Sequence, residues 1–264
     1  MTEAQGAFVL VHGGHAGAWV WDELRPLLGL PSLAIDLPGH GSRPGNLATL
    51  TIAECVNSVV ADLPPDQKLI LVGHSLGAAV VLVLAEQIAH RVAHVVCLAG
   101  PVPRPGGSIV ASFPFLMRVA SRLVLWLSGP EFAQSRRMSM KTFFNGMHPG
   151  RANRACDRLT KESSALVREP VRWSGRPPAP CTYIKCLRDQ GPLSPRHQER
   201  MAANLGEGVN VVALDACHYA MLDRTAELAA ALNQIARDAK LIRAEPSAAA
   251  DGGRDAGFSA ENVS

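Results

Sequence analysis

Long apolar runs are missing from this chain, and none approaches the roughly 20 consecutive apolar residues that a membrane-crossing helix requires. Stable insertion into a bilayer is therefore not expected. The opening stretch "MTEAQGAFVLVHGG" has an acid where a secretory leader carries positive charge, and its short apolar run ends at a glycine turn, so a cytoplasmic location is expected. The six cysteines, Cys55, Cys97, Cys156, Cys181, Cys186 and Cys217, form no CxxC pair. They read as reduced thiols, several of them small core residues. Aromatics make up only 5% of the residues, and 26 basic against 23 acidic side chains leave a net charge of +3. With no basic stripe interleaved with aromatics, nucleic acid is not an expected partner.

What is present is apolar content, 47% of 264 residues, enough to bury the core of one large domain. Apolar runs at Ala7 to Val11, Ser32 to Ile35, Leu69 to Val72, His94 to Ala99, Cys181 to Leu187 and Val209 to Leu214 read as strands. They are apolar along their length rather than alternating, which suits burial on both sides. Between them, "GAWVWDELRPLL", "TIAECVNSVVADL", "SLGAAVVLVLAEQIAHRV" and "PRHQERMAANLG" have helical spacing. Strand and helix repeated in this order predict an α/β fold, a mostly parallel sheet with helices on both faces. Residues 1–100 and 181–243 would form the core.

Residues 101–180 break the rhythm with helical patterns and no evident strand, so they are expected to form a cap over one end of the sheet. Phe113, Phe115, Trp126, Phe143 and Phe144 in this segment would pack the cap onto the body or line a pocket. The segment "FPFLMRVASRLVLWL" also has the pattern of a helix lying on a membrane surface, although packing against the body is the favoured reading. Residues 244–264, small and polar, read as a disordered tail.

The chemistry centres on "LILVGHSLGAAVVLVLA", in which Gly73-His74-Ser75-Leu76-Gly77 separates a buried strand from a helix. A GxSxG pentapeptide is weak by itself, but the strand-turn-helix setting is the one a nucleophile elbow needs. Ser75 is the candidate nucleophile. A serine needs a base, and the base an orienting acid, which follow in the order serine, acid, histidine when the elbow lies in such a sheet. His218, just past the last strand, is the candidate base; His197 lies in a polar helix and His148 within the cap. Asp189, in "TYIKCLRDQGPLS" after the preceding strand, is the candidate acid, whereas Asp215 reads as a loop or capping residue. The loop His12-Gly13-Gly14 after the first strand would lie beside the elbow, making the N–H groups of Gly14 and Leu76 the candidate oxyanion receptor.

Together "FVLVHGGHAGAWVWDEL", "AIDLPGHGSR", "KLILVGHSLG", "TYIKCLRDQGPLSPRHQERMA" and "DACHYAMLDRTAELAAAL" resemble the α/β-hydrolase superfamily, in particular the branch of plant methyl esterases and hydroxynitrile lyases. The resemblance runs from Phe8 to about Ile235 and omits the cap. It implies a triad of Ser75, Asp189 and His218, and no metal or organic cofactor. Lyases of this branch typically have threonine at the position of Gly13 and lysine at that of Tyr219, so both departures favour an esterase acting on a small or medium carboxylic ester. A thioesterase or cyclase working on a carrier-bound intermediate is a second reading, motivated by Arg118, Arg122, Arg136 and Arg137. A small-molecule receptor on a hydrolase body is a third. The sequence carries no sign of oligomeric state.

Overall fold

A computed structural model describes residues 6–242; the expected disordered tail lies outside the described residues. In chain order the elements are β1 (Gly6–Val11), β2 (Ser32–Ile35), α1 (Ile52–Asp62), β3 (Lys68–His74), α2 (Leu76–Gln87) and β4 (Val92–Leu98). An insertion then carries α3 (Phe115–Ser128), β5 (Glu131–Phe132), α4 (Arg136–Thr142), α5 (Pro149–Asp157), β6 (Glu162–Ser163) and α6 (Ser164–Arg168). The chain finishes with β7 (Cys181–Cys186), α7 (Pro195–Ala203), β8 (Asn210–Leu214), α8 (Ala220–Asp223) and α9 (Thr225–Asp238).

Six strands form one sheet in the order β2-β1-β3-β4-β7-β8, every pair parallel. The register aligns Val11 with Gly73, and Gly73 with Cys97. β1, β3 and β4 therefore end together, with the turn after β3 central among them. The sheet splits the core in two: Val9, Leu71 and Val95 pack on one face with α1 and α2, and Phe8, Ile70 and Val96 pack on the other with α8 and α9. Each fully buried aliphatic side chain contributes about 1.5–3 kcal/mol, so the central strands form the rigid part of the molecule. At the edge, β8 is more open than its apolar sequence implies, with Val211 exposed, because it has a strand neighbour on one side only.

Two local expectations change. The stretch after β1 forms two short 3₁₀ turns, Ala18–Trp21 and Arg25–Leu27, rather than one α-helix. Pro26 removes a backbone donor and crowds the preceding turn, and Asp36 Oδ1 accepts the Ala18 N–H at 2.6 Å. Within the insertion, β5 and β6 form a two-residue antiparallel pair that the helical pattern concealed. Helix α1 matches its pattern and begins with a capping box, in which Thr51 Oγ1 accepts the Glu54 N–H at 3.1 Å and Glu54 accepts the Thr51 N–H at 2.8 Å. Replacing Thr51 by Ala is expected to cost about 1 kcal/mol, seen as a lower urea midpoint at unchanged slope.

Candidate active site

The turn between β3 and α2 forces Ser75 to φ 49°, ψ −124°, a region that non-glycine residues avoid at a cost of about 1–3 kcal/mol. Close packing holds it there. The Ser75 N–H donates to the Leu98 carbonyl at 2.9 Å, and its own carbonyl accepts the Ala78 N–H at 2.9 Å. A Cβ on Gly73 would lie 2.3 Å from the Gly77 carbonyl oxygen, and one on Gly77 would lie 2.5 Å from that of His12. Glycine at these two positions lets strand, helix and the β1 exit loop meet behind the serine. Leu76, the first residue of α2, belongs to the helix turn whose N–H groups lack intrahelical partners.

Asp189 and His218, 29 positions apart in sequence, come together: His218 Nδ1 lies 2.7 Å from Asp189 Oδ2, with both residues buried. The carboxylate is held on both oxygens. Oδ1 accepts the Gly191 N–H at 2.7 Å, and Oδ2 accepts from Gln198 Nε2 at 2.8 Å. An ionised carboxylate only accepts, so His218 donates from Nδ1, which leaves Nε2 as an acceptor. Gln198 is fully buried and also accepts the Cys186 N–H at 2.9 Å and donates to the Leu193 carbonyl at 2.9 Å. His74, adjacent to Ser75, donates from Nε2 to the His218 carbonyl at 2.9 Å, tying the histidine loop to the elbow. The rejected candidates stand elsewhere: Asp215 pairs with Arg188 at 3.0 Å, His148 is exposed at the start of α5, and His197 sits 2.8 Å from Ser194 on α7.

Beside the elbow lies the β1 exit loop. Its first residue, His12, is buried and neutral: burial, then repulsion from His40, pushes its pKa down to about 4. Its Nδ1 donates to the Gly13 carbonyl at 2.7 Å, and its Nε2 accepts the Leu37 N–H at 3.0 Å. A Cβ on Gly13 would lie 2.7 Å from the Ser75 Cβ, so any side chain there presses on the serine. Gly14 faces the insertion, where its Cβ would meet Glu162 Oε2 at 2.9 Å. Tyr219, buried next to His218, donates from its hydroxyl to the Gly14 carbonyl at 3.4 Å.

Glu162 escaped the sequence reading. This buried carboxylate on β6 accepts the His15 N–H at 3.1 Å and the Ser163 N–H at 2.6 Å. Its Oε2 is 3.2 Å from His40 Nε2, an ion-pair contact rather than an aligned hydrogen bond. Burial alone would lower the His40 pKa, but contact with Glu162 and its charge raise it above 6.5. Burial alone would raise that of Glu162, but His40, His15 and the Ser163 N–H bring it below 4.5. Both shifts favour the ion pair of a protonated His40 with an ionised Glu162. In the sequence, the one available signal was His40 inside the Gly-His-Gly turn; nothing distinguished Glu162 or Gln198 from surface residues.

The insertion's aromatics divide. Phe143 stacks on His218 with ring centroids 5.1 Å apart and an interplanar angle of 23°, and Phe144 packs on Tyr219 at 4.9 Å. Phe113 is half-buried against the core. Phe115 and Trp126, at 67% and 72% exposure, neither pack the insertion onto the body nor line a pocket. A cavity of about 370 Å³ lies against His15, Ser139, Cys156 and Thr160. It is lined by none of Ser75, Asp189 and His218.

The chain matches the alpha/beta hydrolase family over residues 8–231. It is 36% identical over 121 residues to polyneuridine aldehyde esterase of Rauvolfia serpentina, covering 43% of this chain and 45% of that protein. It is 34% identical over 108 residues to pheophorbidase of Raphanus sativus, covering 38% and 41%. The matched stretches thus span less than half the length of these relatives. Among solved structures, an extracellular alpha/beta-hydrolase from a Paenibacillus species superposes with a TM-score of 0.75 at 21% identity, over 87% of this chain and 98% of that one. The parallel six-stranded sheet, the strained serine turn after β3 and the sequence match from strand β1 to helix α9 agree: this chain belongs to the alpha/beta hydrolase family.

Proposed function

We propose that the chain is a serine hydrolase that cleaves a small or medium carboxylic ester through Ser75, His218 and Asp189. The reading is carried by two observations taken together, a serine at φ 49° in the turn after β3 and a His218–Asp189 contact of 2.7 Å between the loops after β8 and β7. In this mechanism Ser75 Oγ attacks the ester carbonyl while His218 Nε2 takes its proton. The N–H groups of Gly14 and Leu76 receive the oxyanion, a contribution of about 3–4 kcal/mol for each donor. The alcohol leaves with the proton from His218, and water, deprotonated by His218, attacks the acyl-enzyme and releases the acid. Asp189 fixes the Nδ1–H tautomer and balances the imidazolium. Gln198 acts through Asp189 as a positioning residue.

The relatives named as esterases support the ester over other leaving groups. Two features of this chain support hydrolysis over cyanohydrin cleavage. At position 13 a side chain would collide with the Ser75 Cβ, and at position 219 a lysine would bury its charge among His74, Phe143 and Phe144, where Tyr219 now packs. The carrier-bound alternative loses some of its motivation, because Arg136 is engaged by Asp157 and Asn153.

Glu162 is the insertion's strut to the oxyanion loop, since its carboxylate takes the N–H of the residue that follows Gly14. Breaking a buried charged pair of this kind costs about 3–5 kcal/mol, so Glu162→Ala is expected to destabilise the protein by that order.

Two measurements test the reading. Ser75→Ala is expected to abolish fluorophosphonate labelling and to lower p-nitrophenyl ester turnover by at least ~10³-fold; wild-type turnover by the variant overturns it. Gln198→Leu is expected to lower kcat about 10- to 100-fold at nearly constant KM, while a change confined to KM would remove its positioning role. Stability should also depend on pH in two directions. His12, with its pKa near 4, and His74, held well below 6.5 by burial, stay neutral in the fold, and burial shifts His15 in the same direction. The unfolded chain takes up those protons below pH 6.5, so stability, full above 6.5, falls as pH drops toward 4, by up to ~1.4 kcal/mol per pH unit for each histidine. The raised His40 works oppositely: its contribution is full below 6.5 and is lost as pH rises through its raised pKa. Urea unfolding from pH 4 to 9 should show both limbs, and Glu162→Gln should flatten the alkaline one.

A further inference from the structure

Helix α3 is turned inside out. Of its 14 residues only Leu125 is buried, whereas Leu116, Trp126, Leu127 and Phe115 are 80%, 72%, 68% and 67% exposed and Met117, Val119, Leu123 and Val124 are exposed as well. At 100° per residue these side chains cover more than half of the helix circumference, from Phe115 and Trp126 round to Val124 and Met117. The polar Arg118, Ser121 and Arg122 flank the narrow strip that carries Leu125. A soluble helix normally buries such an arc, and a contiguous apolar surface of this size marks an interaction site.

Charge identifies what covers it. Residues 101–161 contain ten basic and two acidic side chains, a charge of +8 in a chain whose total is +3, and no acidic residue occurs from Gln87 to Pro130. Among the described residues, Arg118, Arg122, Arg137 and Lys141 have no acidic partner. A second copy docking face to face would bring two such segments together and repel. A protein with a matching acidic groove would satisfy the charge, but a convex helix with aliphatic side chains over most of its outer surface and an aromatic near each end has the form of an interfacial helix.

We infer that α3 docks the protein on an anionic lipid surface, its apolar arc in the acyl boundary and Arg118 and Arg122 at the phosphate level. This is peripheral attachment, since no described helix is long and apolar enough to cross a bilayer. The inference does not rest on the esterase reading, because binding is measured without turnover and the Ser75→Ala protein should bind as the wild type does. It touches that reading only through the chain, since the segment that continues from α3 places Phe143 on His218.

The test is cosedimentation of the full chain with vesicles of phosphatidylcholine alone or mixed with phosphatidylglycerol. Binding to the mixed vesicles, weakened by salt and about tenfold or more lower on phosphatidylcholine alone, is expected. The double variant Leu123→Asp/Trp126→Asp, at exposed positions, should lose it, and Arg118→Glu/Arg122→Glu should lose it on the mixed vesicles, with urea midpoints and soluble-ester turnover unchanged for both. Absence of wild-type binding at low ionic strength overturns the inference, as does undiminished binding by either double variant. Overturning it equally would be a wild-type dimer in sedimentation velocity that Leu123→Asp/Trp126→Asp dissolves, since a second copy would then cover the helix.

Discussion

The left-handed backbone at Ser75 is the constraint around which the rest of the structure is arranged. A single residue at φ 49° costs about 1–3 kcal/mol, as much as its two backbone hydrogen bonds return, and it persists only where its surroundings allow no alternative. Here those surroundings are β3 and β4 in register, the first turn of α2, and the β1 exit loop pressed on Gly77. The apolar packing of β3 and α2 supplies the stabilisation that offsets the strain. The side chain thereby stands clear of the turn, half-buried, with the helix N-terminus beneath it.

Around this point the buried polar groups form two chains, one ending at His74 beside Ser75 and the other at His15 on the β1 exit loop. One runs from Cys186 through Gln198 and Asp189 to His218 and returns through its carbonyl to His74. The other runs from Glu162 to His40 and to the N–H of His15, next to Gly14. Buried polar groups are costly unless satisfied, and each chain satisfies nearly all of its members, which fixes their positions. The difference is origin. The first chain runs through β7, α7, the loops after β7 and β8, and the end of β3, whereas the second brings a carboxylate from the insertion, so the β1 exit loop depends on how the insertion sits.

The sheet was legible because its strands are continuous apolar runs with turn residues between them, and the elbow was legible because glycine is required at Gly73 and Gly77 by backbone contacts alone. Asp189 and His218 could be placed by chain order at the ends of strands. Glu162 and Gln198 could not, because a carboxylate or an amide in a polar stretch looks the same in sequence whether it faces water or a buried partner. The stretch from Ala18 to Leu27 misled for a local reason: its apolar spacing is helical, yet Pro26 and the Asp36 carboxylate favour two short turns. Helix α3 misled in the opposite way, since its periodicity was right and only the side on which the body lies was wrong.

That inversion separates the insertion from the sheet in physical terms. The core elements obey one rule, apolar side inward, and their stability follows from it. The insertion obeys it in α5, which buries Ala152, Ala155 and Cys156, and at Phe143 and Phe144, whereas α4 buries only the polar Ser139 and α3 breaks the rule everywhere but at Leu125. A helix exposing eight large apolar side chains gains nothing from folding that way in water alone, and natural proteins rarely maintain such a surface without a partner. The insertion also holds the excess positive charge and supplies the side chains that stack on His218 and brace the β1 exit loop. Recognition of an external surface and shaping of the candidate site are thus carried by one continuous stretch of chain, so whatever orients α3 also bears on the geometry at Gly14 through Glu162.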